Sequence, residues 1–394
     1  MSPGGASAPP SACTSASPCC WPAPPTSGWP TASGSRAGCA RSLRWSTAIC
    51  PQSSTYRWAA SPCAGDEPKG QEPRERSQRI SVGGVAVSVR WGVWFEPTQP
   101  VRRLVELARL GESLGAEACF VADEGTERDV YVALTAIVGA TGLKVAPAIT
   151  NPFSRHPVAT AAAIATLAEL APGRVMHGLG VGGSRVLKPL GMDPERPFTA
   201  LRETFELNRR LLAGETVGEA SLPWFRPERP LPVAVAGRGP RVQRLAAERS
   251  DCVILSAAPP AELPAFAEQI RSAGSARIAW SAYLAYNDAE RRRVLPHFSY
   301  MAVDAPADVR RADGLDDAIT AEVRRLMLAG RMAAAAKLLP DALVDRYALA
   351  GTPEEISARI GGLRDCFDIF MLPMNDEPTA ADHIRAGAAI LASA

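Results

Sequence analysis

From residue 89 onward the apolar positions follow two alternating rhythms. Short runs rich in Val, Ile, Phe and Ala are followed by longer stretches in which apolar residues return at helical spacing. The first pattern is that of buried strands, the second of helices with one covered face. The runs predict strands at Val89–Phe95, Ala118–Ala122, Lys144–Ile149, Arg174–Leu179, Pro232–Ala236, Cys252–Leu255, Ile278–Ala285 and Phe367–Leu372. Between them the spacing predicts helices over Pro100–Leu114, Asp129–Ala140, Pro157–Leu170, Phe198–Leu212, Pro240–Arg249, Ala261–Ser272 and Pro353–Arg364, with Ala380–Ala392 closing the chain. Punctuation supports these bounds: Pro97 stops the first strand, Gly115 ends the first helix, and Pro157 opens its helix at a first-turn position.

Strands alternating with helices over about 300 residues predict an α/β fold, a (β/α)₈ TIM barrel. A mostly helical stretch from Asp288 to Leu343 reads as an insertion after strand seven. A doubly wound open sheet is the alternative.

Composition divides the chain. Residues 1–80 hold 12 prolines, six of the nine cysteines and no acidic residue before Asp66. Neither period occurs there, so no coherent face can be buried. A disulfide or metal module lacks the ligand spacing it needs, and a transit peptide fits poorly with the Trp-Pro stretch around Trp21 and Trp29. Residues 1–84 are therefore expected to be a disordered or mis-assigned N-terminal extension, and 85–394 the barrel. The cysteines left in that part, Cys119, Cys252 and Cys366, lie in apolar runs and read as small core residues in a reducing cytoplasm. A net charge of +2 gives no case for nucleic acid. No apolar run reaches the ~18 residues of a membrane span.

A barrel puts chemistry where its strands end. Those positions hold Glu96, Asp123, Glu124, Thr150, Asn151, Gly180–Ser184, Gly237, Ser256, Asn287 and Asn375. Of the adjacent acids Asp123 and Glu124, only one can point into the mouth from an extended segment. Glu96 is a comparable proton carrier, since an acid in an aromatic pocket has its pKa raised. His156, in the stiff segment AITNPFSRHP, is a further proton donor candidate or a loop-packing residue. The loop HGLGVGGS contains Gly180, Gly182, Gly183 and Ser184, and VAVAGRGPR contains Gly237 and Gly239; both are glycine turns whose backbone N–H groups can approach a phosphate. The first is no dinucleotide fingerprint, because prolines at 189, 194 and 197 prevent a prompt helix. No G-x-S-x-G elbow, P-loop or paired metal-ligand histidines occur, so no metal is expected. His177, His297 and His383 read as packing or peripheral residues.

The segments ITNPFSRHP (Ile149–Pro157), AAAIATLAELAPGRVMHGLGVGG (Ala161–Gly183), AGRGPRVQRLAAERSDCVIL (Ala236–Leu255) and LAGTPEEI (Leu349–Ile356), with WGVWFEPTQP and VYVALTAI, resemble the luciferase-like monooxygenase superfamily. Within it they are most similar to the branch that uses the deazaflavin coenzyme F420, typified by methylenetetrahydromethanopterin reductase. The resemblance runs in order from about residue 89 to 394 and covers none of the first 80.

It implies an oxidoreductase that exchanges a hydride between F420 and a small organic substrate. It also implies a cis peptide at Ala148–Ile149 against the deazaflavin ring, Thr150 and Asn151 beside it, and the two glycine turns on its phosphate tail. A homodimer is implied by the family alone. An FMN-dependent monooxygenase and a catalytically inactive flavin-binding barrel are the alternatives. Two positions depart from the branch: Trp94 stands where the reductases carry an acid, and Glu124 where histidine commonly follows Asp123. Both departures argue against methylenetetrahydromethanopterin itself as substrate.

Overall fold

The computed structural model describes residues 89–256, 258–374 and 378–394. The extension expected over residues 1–84, its boundary at 85 and the rim position Asn375 lie outside them. The strands are β1 (Trp91–Phe95), β2 (Ala118–Val121), β3 (Lys144–Pro147), β4 (His177–Gly180), β5 (Val233–Ala236), β6 (Cys252–Ser256), β7 (Arg277–Ser281), β8 (Leu284–Ala285), β9 (Leu349–Ala350) and β10 (Ile369–Pro373). Eight pair in parallel in the order β3–β2–β1–β10–β7–β6–β5–β4. The two ends of that row meet through single bridges, Val145 to Val175 and Thr150 to Leu179. Closure makes the sheet a (β/α)₈ barrel and removes the open doubly wound alternative.

Alternation of side chains along each strand then sorts them between two faces. Cys119, Val121, Val233, Val235, Phe370 and Leu372 pack outward under the helices. Ala118, Phe120, Ala146, Ala148, Ala234, Ala236, Cys252, Ile254, Ala279 and Met371 form a separate inner cluster, joined by Trp94 and Ile149. The lumen is thus lined largely by alanine. In β4 the inner positions are Gly178 and Gly180, and they have no room for more. A Cβ on Gly178 would lie 2.1 Å from the Pro147 carbonyl oxygen, and one on Gly180 would lie 1.8 Å from Cδ1 of Ile149. Glycine there is what lets β3 and β4 close the barrel.

The insertion differs from its prediction in one respect. The seventh strand does not continue to Ala285; it leaves the barrel after Ser281, and β8 pairs instead with β9. The run IAWSAYLA is almost wholly apolar, so no change of period marks the exit. Beyond it, short helices build a core of their own around Phe298, Met301, Val323, Leu343 and Tyr347. No helix among the described residues is long and apolar enough to cross a membrane.

One buried polar pair links barrel to helix. His177 points outward from β4, fully buried, with Nε2 3.0 Å from Nδ2 of Asn208 on the helix Pro197–Leu211. Desolvation pulls this imidazole down to about 3. Because the folded value lies below the unfolded value of about 6.5, the unfolded state binds the extra proton between them. Stability contributed by His177 is therefore present above pH ~6.5 and is lost as pH falls toward 3. Between pH 6.5 and 5.5 the natural chain is expected to lose about 1 kcal/mol more than His177→Gln, measured by urea unfolding at the two values.

Candidate active site

Parity along the first two strands decides which acids reach the mouth. Gly92 and Trp94 share the inner face of β1, with Glu96 just past its end, and Ala118 and Phe120 share that of β2, with Glu124 three residues past its end. Asp123 has the opposite parity and turns sideways to β3. There it accepts a hydrogen bond from Thr150 Oγ1 at 2.7 Å, while its backbone N–H donates to the Ile149 carbonyl at 3.3 Å. The adjacent acids thus separate, one to the wall and one to the mouth.

A third rim segment completes the arrangement. The short helix Ser184–Leu187 follows the glycine turn of β4 and carries Arg185. Its guanidinium donates to Glu124 at 2.8 Å and to Glu96 at 3.2 and 3.3 Å. Two carboxylates therefore share one cation. Burial is the largest influence on Glu124; opposed by Arg185 and aided by the charge of Glu96, it holds that carboxyl up to about 7. On Glu96 burial also works upward, but the charges of Arg185 and His297 outweigh it and hold this carboxyl below its ordinary value. Their environments push the two acids apart, the arrangement that separates a proton carrier from a permanent anion.

The insertion roofs this cluster. His297 stacks on Tyr283 with ring centroids 4.8 Å apart. Arg238, in the turn after β5, lies over the Tyr300 ring at 5.4 Å. Asp304 accepts from Ser184 Oγ at 2.7 Å and from its backbone N–H at 3.3 Å. Burial raises the hydroxyl pKa of both Tyr283 and Tyr300, so both remain neutral donors.

The wall that β3 and β5 give the mouth is small and apolar. Ala148, Ile149 and Ala236 form it, with Ile149 laid over Gly180. The Ala148–Ile149 peptide is cis, as the family resemblance implies. The donors at Ser184 hold an oxyanion, the carboxylate of Asp304, whose place a phosphate would have to take. Gly182 adopts φ +75°, a conformation side chains rarely take, and Gly239 opens on free space. The residues present fit a planar, phosphorylated group.

A family model described as luciferase-like monooxygenase matches residues 82–367. The chain belongs to that family. It is an oxidoreductase. Among members of known activity, the 5,10-methylenetetrahydromethanopterin reductase of Methanolobus tindarius is 27% identical over 298 residues, covering 70% of this chain and 90% of the relative. An F420-dependent glucose-6-phosphate dehydrogenase of Nocardia farcinica is 33% identical over 204 residues, covering 44% of this chain and 60% of that one. The structure of the coenzyme F420-dependent tetrahydromethanopterin reductase of Methanopyrus kandleri has the same fold, with a TM-score of 0.65 at 21% identity over 76% of this chain and 97% of that one.

Within this luciferase-like barrel the remaining candidates take structural positions. Asn151 is buried, and its Oδ1 accepts from the backbone N–H of Phe153 and Ser154, shaping the turn out of β3. His156 is exposed and caps the helix Pro157–Leu170, its Nδ1 accepting from Val158 N–H at 3.3 Å. Its described hydrogen bonds do not reach the acids. Asn287 likewise caps the helix Asp288–Val294. Among the described residues no group of three or more His, Cys, Asp or Glu could hold a metal.

Sequence reasoning misses Arg185, Tyr283 and His297. In the sequence His297 reads as peripheral, whereas its imidazole influences Glu96. Arg185 carries one usable signal: a lone cation immediately after a glycine turn at a strand end.

Proposed function

We propose that this chain is an F420-dependent oxidoreductase acting on a small organic substrate, with Glu124 as the group that gives or takes the proton. The observation that carries this reading is the Glu96–Arg185–Glu124 bridge, at the same end of the barrel as the apolar wall of Ala148, Ile149 and Ala236. Bound there, the deazaflavin supplies or accepts the hydride. Ala148, Ile149 and Thr150 would back its ring, and the turns Gly180–Ser184 and Gly237–Gly239 would hold its phosphate. The protein's own task is orientation and proton handling. Glu124, protonated near neutral pH, donates from its carboxyl oxygen toward the mouth. Arg185 keeps Glu96 ionised beside it, so a single proton is held by the pair. The roof formed by Tyr283, His297 and Tyr300 limits water at that carboxyl.

The relatives named for F420 favour this cofactor over FMN. Titrating the full chain with F420 and with FMN, followed by fluorescence, tests it. Saturable F420 binding and reduction or oxidation of F420 by a panel of small carbonyls and alcohols are expected. Tight FMN binding with no F420 binding would move the chain to the flavin-dependent, oxygen-using reading.

A further inference from the structure

The indole of Trp94 makes a contact that the proposed chemistry does not use. Its Nε1–H donates to the main-chain carbonyl of Ala148 at 2.9 Å. Trp94 is on β1 and Ala148 follows β3; β2 lies between them. The side chain therefore crosses the inner face of β2. Room for this comes from the layer below. Trp94 pairs in register with Phe120, but the Phe120 ring leans over Gly92, where a Cβ would lie 2.9 Å from its Cε2. Phe120 fills the lower layer and Trp94 the upper one, directly beneath the rim that bears Glu96.

The Ala148 carbonyl gains a partner by this crossing. Its own N–H continues the ladder to Val121, at 2.8 Å, while its oxygen faces the lumen, where a main-chain acceptor must find a donor. An indole N–H can only donate, so the bond satisfies the carbonyl and leaves an uncharged ring face toward the mouth. The following residues form the wall: Ile149 over Gly180, and Thr150 tied to Asp123. The wall is held at one end by Asp123 and at the other by Trp94.

We infer that Trp94 is a positioning residue, fixing the β3 wall through the Ala148 carbonyl and flooring the mouth with an uncharged aromatic face. This rests on the reading that a flat redox ring sits against that wall. It assigns the substrate side of the mouth a preference for an uncharged, planar or apolar group.

The test uses the full chain with ¹⁵N-labelled tryptophan. The eight tryptophans give at most eight indole N–H signals, and the one lost in Trp94→Phe belongs to Trp94. In the natural chain that signal is expected to exchange with D₂O much more slowly than that of Trp224, which is half-exposed, and to move when F420 is added. Trp94→Phe is expected to bind F420 at least tenfold more weakly with its far-ultraviolet circular dichroism unchanged. Exchange as fast as that of Trp224 overturns the inference, as does unaltered F420 affinity in Trp94→Phe. If that variant does not fold, an indole signal unmoved by saturating F420 in the natural chain overturns it. A protected signal that moves with FMN but not with F420 upholds the role of Trp94 and removes the F420 reading instead.

Discussion

Glu124→Gln is expected to lower kcat by about 10²- to 10⁴-fold, the range of a lost general acid. Glutamine keeps the shape and a hydrogen-bonding oxygen for Arg185, but it has no proton to give. F420 affinity, measured by fluorescence, is expected to stay within a factor of a few, because the proposed ring wall lies on other strands. The pH profile gives the sign. Burial holds the Glu124 carboxyl up to about 7, so in the direction that reduces substrate, where a proton must be delivered, kcat falls as pH rises through about 7. In the reverse direction the carboxylate must accept a proton, and kcat rises through the same value. Arg185→Met would shift these limbs, since it removes the cation that both acids share. An activity in Glu124→Gln within threefold of the natural chain would remove Glu124 from its role.

The second large effect is on stability. Gly178→Ala places a methyl carbon 2.1 Å from the carbonyl oxygen of Pro147 and 3.3 Å from its carbon. These are backbone atoms, so relief requires moving β4 away from β3. That seam is also where the barrel has its sparsest pairing, two isolated bridges in place of a ladder. Overpacking of this kind costs about 1–3 kcal/mol, and a rigid neighbour puts the substitution at the upper end. With about 2–4 °C per kcal/mol for a domain of this size class, a loss of several degrees in Tm is expected. Gly180→Ala offers a comparison. Its methyl meets first the flexible end of Ile149, at 1.8 Å, and backbone only at the Ala236 carbonyl oxygen, at 3.1 Å, so the fold is expected to suffer less and the ring wall more. Thermal melts beside F420 titrations separate the two variants. Equal melting temperatures for Gly178→Ala and the natural chain would mean that the seam does not close as described.

Much of the barrel is legible in the order of residues alone. The two apolar periods place its strands within a few residues, because period reports which faces of an element are covered. Parity also says that only one of Asp123 and Glu124 can enter the mouth, but which one is settled by the inward face of Phe120 and by the bond from Thr150 to Asp123, which only the structure shows. Glycine at 178 and 180 marks a close approach, although not what approaches.

The candidate site is legible only in part. Glu96 and Glu124 stand out as acids at strand ends, yet nothing local joins them. Arg185 is 89 residues from one and 61 from the other. They meet because closing the barrel brings the ends of β1, β2 and β4 onto one rim. His297 comes from an insertion whose helical pattern fixes its elements but not the direction in which they fold back, and Tyr283 from an apolar run whose exit from the barrel no change of period marks. Local sequence specifies conformation and which face is buried, through interactions a few residues long. Convergence of distant side chains, and the pKa values that burial then gives them, depends on closure and packing, which only the assembled tertiary structure decides.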